Sequence, residues 1–448
     1  MRGSNMKKTR REFLRSAGRA GAALAAFAIV PSRVLGAHAP SKRLNVAVIG
    51  TGNQGVQDMQ LFLTEDDVQV VAVCDVNRGS AGYKSANQFL GREPAQNMAN
   101  EAYAEQKRSG VYRGCAAYND FREVLARPDV DAVVLVVPDH WHRVMTVMAA
   151  EAGKDIYCEK PLSLTVADGR AMVEAVRRHA VVLQTGSHER SRRQTRFAVE
   201  LARSGRLGQL KKITAIVGPW NKSGPESGWQ PMPVPEGFDY ERWLGPAPWA
   251  PYHKDRCLYN FRFNLDYSGG QVTNYGAHSL DMAQWGNNSD RSGPVEIADA
   301  GSEWPSDGLF TVAKVVHFRA RYANGVELEC ITRGDNVACR FEGTEGWVET
   351  GYKGLFASSP ALLRADIDPR EKLGTNANHI RNFLDAIKSR TDPIVPVEVG
   401  HSSATLCHLG NIAMQLKRKL QWDPAAEKFI GDDAANHMLA RATREPWA

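Results

Sequence analysis

The 448-residue chain predicts an α/β fold in two parts: an N-terminal Rossmann-type parallel sheet domain, then a C-terminal α/β domain with an open, mostly antiparallel sheet. Three observations predict it. From Leu44, short runs of Val, Ile and Leu alternate with stretches of helical spacing, as strands buried on both faces of a parallel sheet require. A glycine-rich turn, GTGNQG at Gly50–Gly55, separates the first such run from the first helical stretch. From Gln209 onward, β-rich segments joined by hairpin signals replace the alternation.

Residues 1–39 stand apart. Lys7, Lys8, Arg10, Arg11, Arg15 and Arg19 form a basic head, followed by the eleven-residue apolar run AGAALAAFAIV, Pro31 and the small-residue match Ala37-His38-Ala39. That order is the layout of an export signal. The apolar run is well short of the ~20 residues that span a bilayer, so no permanent membrane anchor is expected. TRREFLRS, with paired arginines before Phe13-Leu14, resembles the twin-arginine signal, which hands folded proteins to the twin-arginine export machinery. A periplasmic or secreted location follows as an expectation.

The leader also settles how to read the net charge of +6. Residues 1–39 carry eight Lys/Arg against one Glu, so the remainder is close to neutral, about −1. The basicity therefore gives no reason to expect a nucleic-acid partner. The remaining chain, 43% hydrophobic and 24% charged overall, is long enough for two domains, at 40–165 and 166–448, with the C-terminal helices packing back. Seven cysteines show neither a C-x-x-C pair nor zinc spacing with histidine; they read as structural thiols, with no metal site.

The first domain reads element by element. LNVAVIG is a buried strand, QGVQDMQLFL a helix and VQVVAVCD a second strand; DAVVLVV, HRVMTVMAAEAG and KDIYC continue the series. The polar stretch Gly91–Tyr112 interrupts it and reads as a surface insertion. Gly50 permits the tight turn, Gly52 lets backbone approach a pyrophosphate, and Gly55 lets helix and strand pack closely. The first helical turn, with Asn53 and Gln54, offers free N–H groups to the anion. Asp75 ends the second strand 20 residues beyond Gly55, where a carboxylate accepts from ribose hydroxyls and repels a 2′-phosphate. The cofactor is thus read as NAD; Arg78, which can pair with a 2′-phosphate, keeps NADP open.

VVPDHWH and CEKPLSLT end the fourth and fifth evident strands, which in an open parallel sheet face the ligand crevice. Pro138, His140, His142, Glu159 and Lys160 are therefore expected beside the cofactor. Lys160 is suited to stabilise charge developing on a substrate oxygen, although a lysine after a strand is more often plain solvated surface. Pro161 fixes the backbone beside it, with a cis bond open to it. LQTGSHERS follows a further strand, AVVLQ, and Gln184, His188 and Arg190 are candidates to reach nicotinamide or substrate, with plain loop polarity the alternative for each.

Taken together, VAVIGTGNQG, Asp75, VVPDHWH and CEKPLSLT resemble the Gfo/Idh/MocA family of sugar and cyclitol oxidoreductases. The resemblance continues in GGQVTNYGAHSLDMAQW (Gly269–Trp285) and HSSATLCHLGNIAMQL (His401–Leu416), nearly the whole chain after the leader. It implies that Lys160 is catalytic and that the second domain's sheet covers the substrate cleft and mediates oligomerisation, so a homo-oligomer is expected. The family's second motif resembles Asp-x-x-x-His; here His278 matches and Asn274 replaces the aspartate. A histidine near pKa 6.5 is suited to accept a hydroxyl proton, whereas Asn274 can only hydrogen-bond a substrate hydroxyl. Asp281, three residues on from His278 on the same helix face, is placed to orient the ring.

In the second domain, VVHFRARYANGVELECITR reads as two strands joined by Asn324-Gly325, and RFEGTEGWVETG as another hairpin. The irregular segment Pro219–Tyr267 is dense in Trp, Pro and Gly; Trp220, Tyr259 and Arg262 are candidates to hold a carbohydrate, whose C–H faces stack on aromatic rings. An exported chain meets no free NAD outside, so the cofactor must be folded in and recycled. Three readings satisfy this: a sugar oxidoreductase, a glycosidase working through a transient keto-sugar, and a carbohydrate-binding protein with structural NAD.

Overall fold

The computed structural model describes residues 43–85, 87–107, 111–219, 227–334, 336–374 and 378–447. The leader and Trp220 lie outside them. Six strands form the first sheet: β1 (Leu44–Ile49), β2 (Val68–Cys74), β3 (Ala116–Tyr118), β4 (Ala132–Leu135), β5 (Asp155–Cys158) and β6 (Leu183–Thr185). All are parallel, in the order β3-β2-β1-β4-β5-β6. The chain crosses from one half to the other between β1 and β4, and that reversal opens a crevice at their carboxyl ends.

Helices cover both faces, which is why β1 and β4 are apolar without alternation. Val46 and Val48 point to the side of α1 (Asn53–Leu63) and α2 (Arg92–Lys107), while Ala47 and Ile49 point to α3 (Asp139–Glu151) and α4 (Val166–Arg178). The polar stretch read as an insertion is α2, a regular member of the alternation. Its buried stripe is only Ala95, Ala99 and Tyr103, with the Tyr103 hydroxyl accepting from Val70 N at 2.7 Å. Four-residue spacing of two alanines and one tyrosine is too weak an apolar signal to separate a helix from a loop.

The second sheet has nine strands, β7 (Leu210–Val217), β8 (Glu296–Asp299), β9 (His317–Arg321), β10 (Glu327–Thr332), β11 (Ala338–Gly343), β12 (Trp347–Gly351), β13 (Gly354–Ala357), β14 (Lys419–Asp423) and β15 (Lys428–Phe429). Their order is β13-β12-β11-β7-β10-β9-β8-β14-β15, antiparallel except for β7 beside β10. Both expected hairpins form, and Gly325 at φ +84° makes the β9–β10 turn. One face carries α5 (Arg193–Arg203), α7 (Gly276–Gly286) and α9 (Val397–Leu416). The other is a grid of charges: Lys212 and Arg319 meet Glu329 at 2.7 and 3.1 Å, and Lys419 meets Glu296 at 2.9 Å. Strand β9, HFRAR, shows the reason: Phe318 and Ala320 face the helices, Arg319 and Arg321 face out.

Short α6 (Gln271–Asn274) leads directly into α7, every residue of which is buried. Between α7 and α9, α8 (His379–Ser389) returns to the first domain, where Phe383 packs edge-on against Phe62 at 6.3 Å. These elements fix α7 against the mouth of the crevice. All seven cysteines are buried and unpaired.

Candidate active site

The glycine turn is shaped by close approaches. Gly50 sits at φ +90°, and a Cβ there would lie 2.1 Å from Val136 O; one on Gly55 would lie 1.9 Å from Gly50 O. Helix α1 begins at Gly52 with no side-chain cap, so its first-turn amides are left for a ligand. At the end of β2, the Asp75 carboxylate accepts from Thr51 N (2.7 Å), Thr51 Oγ1 (3.2 Å) and Asn77 N (2.8 Å). Arg78 turns away: it lies 3.5 Å from Glu236, with both groups largely exposed. An uncapped helix start, a cradle that any Cβ would fill and an acidic group at the ribose position fit NAD.

A cavity of about 400 Å³ runs from this turn to the second domain. Gly50, Gly52, Asn53, Gln54, Gly55, Asp75, Pro138, Glu159 and Lys160 line it from one side, and Tyr259, Arg262, Asn274 and His278 from the other. Lys160 is joined to Pro161 by a cis peptide, and its Nζ donates to Asn274 O at 3.3 Å. Burial pushes the ammonium below its ordinary value, against the opposing charge of Glu159. His278, on α7, is 3% exposed and its Nδ1 has no partner among the described residues. Burial first, then the charges of Lys160 and His188, hold it well below the ordinary imidazole value, so it is neutral. The His188 ring stands 4.8 Å from it.

Beneath Lys160 the Glu159 carboxyl is buried, with Oε1 unpartnered among the described residues. Gly186 makes room for it; a Cβ there would lie 2.1 Å from that oxygen. Asp58 on α1 is likewise buried with Oδ2 unpartnered, and burial raises both carboxyls above their ordinary values. Asn274 donates to Gln271 Oε1 at 3.0 Å. The Arg262 guanidinium lies 3.9 Å over the Tyr259 ring.

Five expectations are corrected by the structure. Asp281 does not orient His278: it accepts from Arg190 at 2.8 and 2.9 Å and from Ser403 Oγ at 2.7 Å. Arg190, expected at the substrate, is 2% exposed and also donates to Asp290 at 2.8 Å. Gln184 is fully buried, bonded to His379 O at 2.7 Å, away from the cavity. His140 is a clamp behind the wall, with Nε2 3.0 Å from Trp243 O, and burial lowers its pKa to about 4. His142 ties two crevice loops together, its ring nitrogens 2.8 Å from Pro161 O and 2.9 Å from Val137 O. Side chains on one turn of a helix diverge by about 100° per residue, and spacing alone does not say which of them faces the cavity.

Several lining residues escaped the sequence reading. Asp139 starts α3 with its carboxylate buried and accepting from Ser268 Oγ at 2.6 Å; it stood inside VVPDHWH, and only its neighbours were singled out. Tyr275, between Asn274 and His278, was equally in view. Tyr83, Phe121 and Trp447 gave no local signal; they meet each other and Trp243, which belongs to the Trp-rich segment Pro219–Tyr267, only in the fold.

Fold and site define a two-domain protein that presents a half-buried lysine and a neutral histidine to a dinucleotide. The chain belongs to the Gfo/Idh/MocA family: residues 44–187 match its oxidoreductase NAD-binding Rossmann fold and residues 209–448 its C-terminal alpha/beta domain. Among curated relatives, 2,7-anhydro-N-acetylneuraminate hydratase of Mediterraneibacter gnavus is 24% identical over 42% of this chain and 43% of its own. The 1,5-anhydro-D-fructose reductase of Ensifer adhaerens is 39% identical over 24% and 34%, and the alpha-N-acetylgalactosaminidase of Shewanella oneidensis 27% over 45% and 44%. The chain spans less than half the length of these relatives. The fold is shared with an aldose-aldose oxidoreductase of Caulobacter crescentus, at TM-score 0.60 and 23% identity over 85% of this chain and 99% of that one.

Proposed function

We propose that the protein is a sugar oxidoreductase that is exported already folded around NAD, oxidises a ring hydroxyl of one sugar and returns the hydride to the carbonyl of a second, so that NAD is regenerated within each catalytic cycle. One observation carries the reading: Lys160 and neutral His278 come from different domains yet line one cavity with the glycine turn. His278 Nδ1, unpartnered among the described residues, accepts the proton of a ring hydroxyl. Lys160 Nζ donates to the same oxygen and steadies its charge. NAD, when bound, supplies the acceptor for the hydride. Tyr259 and Arg262 hold the ring from the second domain, and Asn274 braces Lys160 through its carbonyl. The substrate class rests on the sugar-acting names of the relatives.

The experiment adds candidate sugars to the purified mature protein and follows absorbance in the NADH band, then denatures the protein and identifies any released dinucleotide. A sugar-dependent absorbance change, with dinucleotide released from protein never given any, is the expected result. Absence of dinucleotide in fully active protein would overturn the retained-cofactor reading. The alpha-N-acetylgalactosaminidase relative favours a second reading, a glycosidase working through a transient keto-sugar. That reading requires release of nitrophenol from a nitrophenyl glycoside without net NADH. Tight sugar binding with neither signal would mark a binding protein.

A further inference from the structure

The end of the cavity beyond Asp75 is walled by rings from four distant parts of the chain: Phe121, Trp141, Trp243 and Trp447. Trp447 meets Trp141 edge-on at 4.8 Å and Phe121 at 6.2 Å, and the Arg122 guanidinium lies 5.3 Å over its ring. With the pyrophosphate on the glycine turn and a ribose at Asp75, this slot is where the flat π face of the adenine base falls.

The fourth wall is tied in place. Arg444 N donates to Pro246 O at 3.0 Å and Arg444 Nε to Gly245 O at 2.9 Å. Arg143 on α3 donates to Thr443 Oγ1 at 3.3 Å and Trp447 O at 3.4 Å. Residues 443–447 therefore bridge α3 and a second-domain strap near residues 237–246. The strap is itself sewn to the first domain: Arg78 N donates to Gly237 O at 2.8 Å, Asp239 N to Val76 O at 3.0 Å and Trp141 Nε1 to Trp243 O at 3.1 Å. Gly245, at φ +46°, lies against Trp141, where a Cβ would come within 2.0 Å of the ring.

We propose that Trp447 is an adenine-binding residue, and that residues 443–447 with the strap are the clasp that retains the dinucleotide. This goes beyond the sugar reading and rests only on the nucleotide site, so it survives if no sugar is turned over. The test compares wild type with Trp447→Ala and Trp447→Phe, each confirmed folded by circular dichroism and thermal melting. Bound dinucleotide is quantified after prolonged dialysis and denaturation, and Kd is measured for ADP and for nicotinamide mononucleotide on stripped protein. Trp447→Ala is expected to lose its dinucleotide on dialysis and to weaken ADP by at least tenfold, with nicotinamide mononucleotide unchanged and Trp447→Phe close to wild type. Dinucleotide retained by Trp447→Ala with wild-type ADP affinity would overturn the proposal, as would equal weakening of both probes or failure of Phe to restore ADP binding.

Discussion

Two buried charged clusters share helix α7, one turn apart, and they are built on opposite principles. Around Asp281 everything is paired: Arg190 meets Asp281 through two hydrogen bonds and Asp290 through a third, and Ser403 adds a fourth. Around His278 little is. His278 Nδ1, Glu159 Oε1 and Asp58 Oδ2 have no partner among the described residues, and Lys160 reaches only a backbone carbonyl at 3.3 Å. A buried polar group left unmatched costs about 1–3 kcal/mol. The first cluster avoids that cost and holds domains together; the second carries it, as groups awaiting a ligand must.

If that contrast is right, variants in the two clusters separate cleanly. Lys160→Ala should lower kcat/KM by about 10³-fold while leaving the thermal midpoint almost unchanged; near-wild-type turnover would dissolve the distinction. Asp281→Ala should do the reverse, destabilising the fold by about 3 kcal/mol because it removes two of the three carboxylate hydrogen bonds to the buried Arg190 and leaves only Asp290 to face its charge. Chemical denaturation reads that difference, and a soluble, fully stable variant with an altered pH profile would move Asp281 into the chemistry.

The pH profile sharpens the comparison. In the proposed reaction His278 is a neutral base, and its folded pKa is lowered, so activity should be lost on acidification only through a value under 6.5. Lys160 acts protonated in the same proposal and is also lowered, so the alkaline limb should fall below 10.5. Asn274→Asp restores a carboxylate near Lys160, which favours its charged form; the alkaline limb should move upward, with kcat changed by about tenfold or less. The smallest effect belongs to the outer grid of the second sheet. Glu296→Ala, which breaks pairs with Lys419 and Arg321, should cost about 1 kcal/mol or less and vanish in high salt.

The clusters also show where sequence reading reaches and where it stops. His278 and Lys160 were legible through the resemblance of two short motifs to those of the family; the strand end alone left Lys160 more often solvated surface, and both residues do line the cavity. Asp281 was misplaced because a helix position three residues away shares a side of the helix but not a direction, and Arg190 because a turn after a strand end does not say whether its side chain runs into the crevice or, as here, to Asp281 and Asp290. Helix α2 was read as an insertion because two alanines and a tyrosine carry its whole buried face. His140 was placed at the cofactor, yet it acts one layer back, holding Trp243 O.

By itself the sequence determined the parallel sheet, the glycine turn with Asp75 and the hairpins of the second sheet, because each depends on periodicity or on a short run of backbone, while the resemblance of two short motifs pointed to the lysine and histidine that line one cavity. Only the tertiary structure decided which polar groups are satisfied and which are left open, and that Trp447 closes a slot begun by Phe121. Those outcomes depend on contacts between residues hundreds of positions apart, and no local pattern encodes them.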